Sequence, residues 1–150
     1  MSGQHPMHDG DMRVITLRME SRLDHVVMVS RAVRALCSTA GLPARECAQV
    51  DLAVAEALNN VIRHAYRGEA GHPIEVTFAQ EREQLTIEVA DEGIPMPEGQ
   101  PVVFDFDPTD IARLPEGGMG LFLIHTVMDS VEYRRLGERN TLAMSRRLAA

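Results

Sequence analysis

Glu56 and Asn60 stand one helical turn apart inside a segment with helical periodicity, so they could act on a common ligand. At about 100° per residue they share a stripe with Arg63 and Arg67, and His64 lies at its edge. An Asn oxygen is a reasonable ligand for hydrated Mg²⁺, and a Glu carboxylate can orient a nucleophile or accept its proton. A solvated polar face, as most surface helices have, explains the same stripe.

Asp91 ends an alternating apolar run at 85–89 and is followed by Gly93. A carboxylate at that point lies at the edge of a sheet, beside a backbone that is free to turn. It can accept a hydrogen bond from an exocyclic amine such as that of adenine. An ordinary turn of the Asp-Gly type is the alternative.

Three glycines at 117, 118 and 120 run directly into an apolar helix start. Without Cβ atoms the backbone can approach a phosphate, and the N–H groups and dipole of the first turn favour its charge. The segment lacks the Walker lysine and does not directly follow a strand, so it fits neither a P-loop nor a dinucleotide-binding fingerprint.

The elements that must position these residues follow from periodicity and turn signals. A region with five prolines, 91–116, interrupts them and reads as a long functional loop or lid, placed at about 94–117. Two hairpins need no crossover, so the order predicts an α/β two-layer sandwich (α+β), with a mixed, mostly antiparallel sheet covered on one face by three helices. The predicted elements are strands at 13–19, 74–78, 85–89, 131–135 and 141–145, and helices at 23–40, 43–67 and 117–128.

Composition limits the function. The 150 residues carry a net charge of -7, which argues against general electrostatic binding to nucleic acid or to an anionic membrane. The apolar runs are too short to span a membrane. Residues 1–12 are polar, without the apolar region of a secretory signal, and are interpreted as a flexible leader before a single domain at 13–150.

Cys37 and Cys47 are ten residues apart, without a CxxC pair or a His at ligand spacing. A metal pair or a disulfide is conceivable from this spacing. Two buried thiols in a cytosolic protein are favoured, and with them a cytoplasmic location.

Together the motifs resemble those of the GHKL ATPases, which have the Bergerat ATP-binding fold, and within them the stand-alone anti-sigma factor serine/threonine-protein kinases. Residues 56–66 (EALNNVIRHAY) are similar to the N box of this family, 91–93 to the G1 box and 118–124 (GMGLFLI) to the G2 box. Residues 128–135 and 139–142 are similar to its terminal hairpin. The resemblance covers nearly the whole chain.

The resemblance implies ATP and Mg²⁺ as cofactors. Asn60 would hold Mg²⁺, Glu56 would be the catalytic base or orienter, and Asp91 would accept from the adenine amine, with Gly93 letting the base approach. The remaining nucleotide contacts that it implies are Gly118, Met119, Gly120, Leu121 and Thr141.

The implied activity is transfer of the γ-phosphoryl group of ATP to a serine of a STAS-type anti-anti-sigma protein, combined with sequestration of a sigma factor by a homodimer. Two positions depart from the family: Pro95 replaces the last glycine of the G1 box, and Glu116 stands where some members have Arg. A nucleotide-gated module that sequesters a partner without kinase activity is therefore the alternative. The ATP-binding half of a sensor histidine kinase is disfavoured, because only about twenty residues precede Arg22 and His25 is followed by two valines.

Overall fold

A computed structural model describes residues 12–96 and 118–148, with the backbone alone for 118–121. Its elements follow the predicted order. The predicted leader, except Met12, and the predicted lid, except 94–96, lie outside these residues. The strands are β1 (Arg13–Glu20), β2 (Pro73–Gln80), β3 (Gln84–Asp91), β4 (Ser130–Leu136) and β5 (Arg139–Arg147), and the helices are α1 (Leu23–Thr39), α2 (Ala44–Asn60) and α3 (Gly118–Val127).

The five strands form one sheet in the order β1-β2-β3-β5-β4. All four pairings within the described residues are antiparallel, and the predicted two-layer fold is confirmed. The β4–β5 hairpin inserts β5 beside β3, so that the first residues of β5 lie next to the last residues of β3. This register places Asn140 directly opposite Asp91.

The three helices and one face of the sheet share a single hydrophobic core. On α2, Cys47, Val50, Val54 and Leu58 are buried at spacings of three and four residues, which is the period of a helix with one buried face. Helix α2 packs between α1 and α3. Full burial of a Val or Leu side chain contributes roughly 1.5–3 kcal/mol, so this stripe fixes α2 over the sheet.

Cys37 and Cys47 are both buried and free, as predicted. Burial raises the pKa of the Cys37 thiol to about 12. Within the described residues, no group of three or more His, Cys, Asp or Glu side chains could hold a metal ion. None of the helices in this part of the chain has the length and apolar character needed to cross a membrane.

The helix predicted for 43–67 changes its hydrogen bonding after Asn60. A π-helical turn, Val61–Ala65, follows α2, and the Tyr66 N–H donates to the Val61 carbonyl at 3.0 Å. Helical structure ends at Ala65, and Arg67 has a φ of 52°. The predicted polar stripe was therefore too long, because Arg67 lies beyond the helix. Single π-turns inside helices are frequent at functional sites.

Candidate functional site

Asp91 is the last residue of β3, and it is buried, with 6% of its surface exposed. Its Oδ1 accepts hydrogen bonds from the Gly93 N–H at 2.9 Å and from Asn140 Nδ2 at 2.8 Å. A buried carboxylate is tolerated where donors of this kind compensate for lost hydration. The predicted G1 aspartate is therefore held at the end of the central strand by a defined hydrogen-bond pattern.

Gly93 lies against the π-helical turn. A Cβ at this position would lie 2.7 Å from the carbonyl carbon of Ala65 and 2.8 Å from its Cβ, so a larger side chain requires the backbone to move. The next N–H, that of Ile94, donates to the Ala65 carbonyl at 2.9 Å. The G1 segment is thus joined to the end of the N-box helix, which brings the two motifs to the same edge of the domain.

Tyr66 adds two hydrogen bonds to this junction between the end of the helix and the segment after β3. Its hydroxyl donates to the Pro73 carbonyl at 2.5 Å and accepts from the Glu92 N–H at 2.9 Å. Burial raises the pKa of this phenol. The sequence indicated a packing or helix-end residue here, and the structure shows a buried side chain that links β2 to the segment after β3.

Asn140 was not assigned to the site from the sequence. It is 1% exposed and forms hydrogen bonds with three residues. Its Nδ2 donates to Asp91 Oδ1 and to the Gly93 carbonyl (3.0 Å), and its Oδ1 accepts from Arg135 Nη1 at 3.2 Å. The alternation of β5 could have indicated this role. Asn140, Leu142 and Met144 share one face of the strand, and a polar residue at a core-facing position requires hydrogen-bond partners.

Glu56 and Asn60 are half-buried on the last two turns of α2. Asn60 Oδ1 is buried and has no hydrogen-bond partner within the described part of the chain. An unsatisfied buried carbonyl oxygen costs about 1–3 kcal/mol, so this atom is suited to a ligand that arrives from outside. A hard cation such as Mg²⁺ prefers oxygen and binds with few protein ligands, completing its shell with water and phosphate. Asn60 fits that role.

Pro95 lies between two anchored neighbours. The Ile94 N–H bonds to Ala65, and the Met96 N–H donates to the Tyr133 hydroxyl on β4 at 2.9 Å. Proline has no N–H to donate, and its ring fixes φ. The start of the predicted lid therefore contains a stiff residue with a hydrogen-bonded neighbour on each side. Glu116, the other departure from the family pattern, lies outside the described residues.

The glycines of the predicted G2 box begin α3 at Gly118, so Gly118, Met119, Gly120 and Leu121 form its first turn, with their side chains outside the described part. Thr141 lies elsewhere. It pairs with Ala90, one residue before Asp91, and neighbouring residues of a strand point to opposite faces. Because Asn140 contacts Asp91, the side chain of Thr141 lies on the other face, and the structure does not bring it to this site.

The model of the family described as "Histidine kinase-like ATPase domain" matches residues 19–146. The relatives include the serine-protein kinases RsbW of Bacillus cereus and of Bacillus anthracis. Each is 29% identical to this chain over 129 residues, which cover 79% of this chain and 75% of the relative.

Two solved structures share the fold. A chain in the crystal structure of the SiaB–SiaC complex from Pseudomonas aeruginosa has a TM-score of 0.56 at 15% identity, over 88% of this chain and 89% of that chain. The histidine kinase domain of a blue-light activated histidine kinase from Erythrobacter litoralis has a TM-score of 0.50 at 18% identity over 82% of this chain. This chain spans only 59% of that kinase domain. Given the family match over most of its length, the protein belongs to the family of histidine kinase-like ATPase domains.

Proposed function

We propose that this protein is an ATP-dependent serine kinase and anti-sigma factor. It phosphorylates a serine of a STAS-type anti-anti-sigma protein, and it sequesters a sigma factor in a partner-switching cycle. The family match and the relatives named serine-protein kinase RsbW support the activity. One structural observation carries the proposal: the Oδ1 of Asn60, which is buried and has no hydrogen-bond partner among the described residues, lies one helical turn beyond Glu56.

Nucleotide binding is proposed at the end of β3, where the backbone of residues 93–94 lies against the π-helical turn that follows α2. Asp91 accepts a hydrogen bond from the amino group of adenine. Gly93 has no side chain, which lets the base approach the backbone. The N–H groups of the first turn of α3, at 118–121, have no partner within the helix itself, and they favour the negative charge of the phosphates. The packing of α3 on α2 supports a common site for the G2 glycines and the N box.

Asn60 is proposed as the protein ligand of Mg²⁺. ATP would supply the transferred phosphoryl group, and Mg²⁺ held by Asn60 would neutralise charge on its phosphates. The buried oxygen of Asn60 supports this assignment, because the ion would satisfy a carbonyl group that nothing in residues 12–96 or 122–148 pairs with.

Glu56 is proposed as the base. As the serine Oγ of the substrate forms its bond to the γ-phosphorus, the bond between that phosphorus and the oxygen of the ADP leaving group breaks. The carboxylate of Glu56 takes the hydroxyl proton and later releases it to water. The half-buried position of Glu56 one turn before Asn60 supports this role, since both side chains then serve one reacting phosphate.

The partner proteins are proposed to be a sigma factor and a STAS-type protein, with the kinase acting as a homodimer in the cytoplasm and without direct contact to nucleic acid or membrane. Exposed apolar side chains on α1 support a protein partner: Leu23, Val27 and Met28 are 68%, 56% and 71% exposed. Apolar surface of this kind is typical of protein interfaces. Sedimentation of the protein alone and with each partner measures the assemblies.

Transfer of label from terminally labelled ATP to the STAS protein tests the kinase. We expect label on a serine with the wild type and Mg²⁺, and loss of the label with Glu56→Gln, with Asn60→Ala and with a chelator. Glu81→Gln, an exposed carboxylate in the β2–β3 turn, is the matched control and keeps full transfer. Equal labelling by Glu56→Gln and wild type contradicts the assignment of the base.

A nucleotide-gated module without kinase activity is the second candidate, and the stiff Pro95, whose two neighbours are both anchored by hydrogen bonds, favours it. In that case ATP binds and changes the affinity for the sigma factor, but no label reaches the STAS protein. Replacement of Pro95 by the glycine usual in the family separates the two candidates. Label transfer that appears only with Pro95→Gly identifies a binding module that has lost its kinase step.

A further inference from the structure

Three side chains on one face of the sheet form a continuous hydrogen-bonded row at the proposed adenine site. Asn140 of β5 lies opposite Asp91 of β3 and opposite Arg135 of β4. The guanidinium of Arg135 donates to Asn140 Oδ1, and Asn140 Nδ2 donates to Asp91 Oδ1. The row runs from an exposed cation to a buried carboxylate through a carboxamide that is almost fully buried.

The orientation of the Asn140 carboxamide is fixed by its neighbours. Arg135 can only donate, so the atom that faces it must be the oxygen. The Gly93 carbonyl and the Asp91 carboxylate can only accept, so the atom that faces them must be the nitrogen. A flip of the amide would break all three contacts, which makes Asn140 a directional link.

This link determines how Asp91 meets a ligand. Asp91 Oδ1 receives two donors, the Gly93 N–H and Asn140 Nδ2, both at 2.9 Å or less. Two charge-assisted hydrogen bonds to one oxygen hold the plane of the carboxylate. The other oxygen, Oδ2, then serves as an acceptor in a fixed position.

We propose that Asn140, oriented by Arg135, is a positioning residue that makes Asp91 selective for the amino group at C6 of a purine nucleotide. The proposal rests on the proposed adenine contact of Asp91. Asn140 itself does not touch the nucleotide. It fills Oδ1 and leaves Oδ2 to accept from a 6-amino group, whereas a purine with hydrogen at C6 gains nothing from this arrangement.

Direct binding of two nucleotides tests the proposal. ATP carries the 6-amino group, and purine riboside 5′-triphosphate carries hydrogen in its place. We expect the wild type to prefer ATP, and Asn140→Ala to bind ATP about tenfold to a hundredfold more weakly, since a hydrogen bond to a charged group is lost. Affinity for purine riboside triphosphate should stay within about twofold, so that the preference collapses.

Thr86→Ala is the matched control. It removes a cross-strand contact between the same two strands on the opposite face, where the hydroxyls of Thr86 and Ser145 lie 3.2 Å apart. We expect the ATP preference to remain. If Asn140→Ala weakens both nucleotides equally, the residue is merely structural and the proposal is wrong. Unchanged affinity for ATP overturns it as well.

Arg135→Ala keeps the test decisive if Asn140→Ala does not fold by circular dichroism. Arg135 is exposed, and its removal frees the amide of Asn140, so the preference for ATP should fall by severalfold. An unchanged preference in Arg135→Ala then contradicts the proposal. A wild type that binds neither nucleotide refutes the proposed function itself. A wild type that binds both equally leaves ATP binding intact but refutes the selectivity.

Discussion

The backbone N–H of Ile94 donates to the carbonyl oxygen of Ala65 at 2.9 Å, and this bond joins the segment after β3 to the π-helical turn after α2. It connects two motifs that are about thirty positions apart in the sequence. The bond requires the backbone of residue 93 to pass the helix end closely. Only a residue without a Cβ allows that approach.

Gly93→Ala is therefore expected to separate the two motifs. The added Cβ meets backbone atoms of Ala65, which cannot rotate away, so the free energy of unfolding should fall by about 1–3 kcal/mol. ATP affinity should fall with it. Urea denaturation and nucleotide titration measure the two effects. Gly71→Ala, where φ is 89° and no atom of the described residues lies within 4 Å of the added Cβ, is expected to lose about 1 kcal/mol while keeping its ATP affinity.

Asn60→Leu is expected to affect ATP binding without lowering the stability of the protein. The substitution has a similar shape and removes a buried oxygen that has no partner in the described part of the chain, so the nucleotide-free protein should be as stable as the wild type or more stable by about 1 kcal/mol. The Mg²⁺-dependent part of ATP binding should be lost. Thermal unfolding without nucleotide and titration with and without a chelator measure both. A large loss of stability contradicts the assignment of an unpaired oxygen. Asn59→Leu, at the adjacent half-buried position, is the control for stability.

Tyr66→Phe tests the two hydrogen bonds by which the Tyr66 hydroxyl joins β2 to the segment after β3. The variant leaves the Pro73 carbonyl and the Glu92 N–H without their partner, and we expect the free energy of unfolding to fall by about 1–3 kcal/mol. Tyr133→Phe removes one contact, to the Met96 N–H, from a less buried position and should cost less. Urea denaturation of both variants gives the comparison. Equal losses of stability in the two variants would contradict this expectation, because the Tyr66 hydroxyl would then contribute no more than the single contact of Tyr133.

Stability should decrease in alkaline solution. Burial raises the pKa of the Cys37 thiol from 9.0 to about 12, and burial also raises the pKa of the Tyr66 phenol above its ordinary value. The folded state therefore holds these protons more tightly than the unfolded state. This contribution is complete below about pH 9 and is lost as the pH rises toward 12.

Unfolding in urea between pH 7 and 11, under reducing conditions, measures this dependence. Cys37→Ala should show a flatter decline above pH 9 than the wild type, because one of the two raised groups is gone. A decline of the same steepness in the variant contradicts the role of Cys37.

Much of the architecture follows from local pattern. The stripe of Cys47, Val50 and Val54 predicts α2 from its period, and the alternation of residues 74–78 and 85–89 across a short turn predicts the β2–β3 hairpin. Interactions of this kind lie within a few residues of one another, so the sequence alone determines them. The sequence likewise predicts Glu56, Asn60 and Asp91 as site residues, because their types and spacing resemble those of a known family.

Tertiary structure decided which of these residues meet. The contact of Asn140 with Asp91 depends on the register of β5 against β3, and a shift of one residue would have brought Thr141 to that face instead. The π-turn after Asn60 and the close approach of Gly93 to Ala65 depend on how α2 packs against the end of the sheet. The sequence by itself determined the elements and the chemical groups, because those follow from local periodicity and residue type. Only the tertiary structure selected Asn140 over Thr141, because strand register is set by the packing of the entire sheet against its helices.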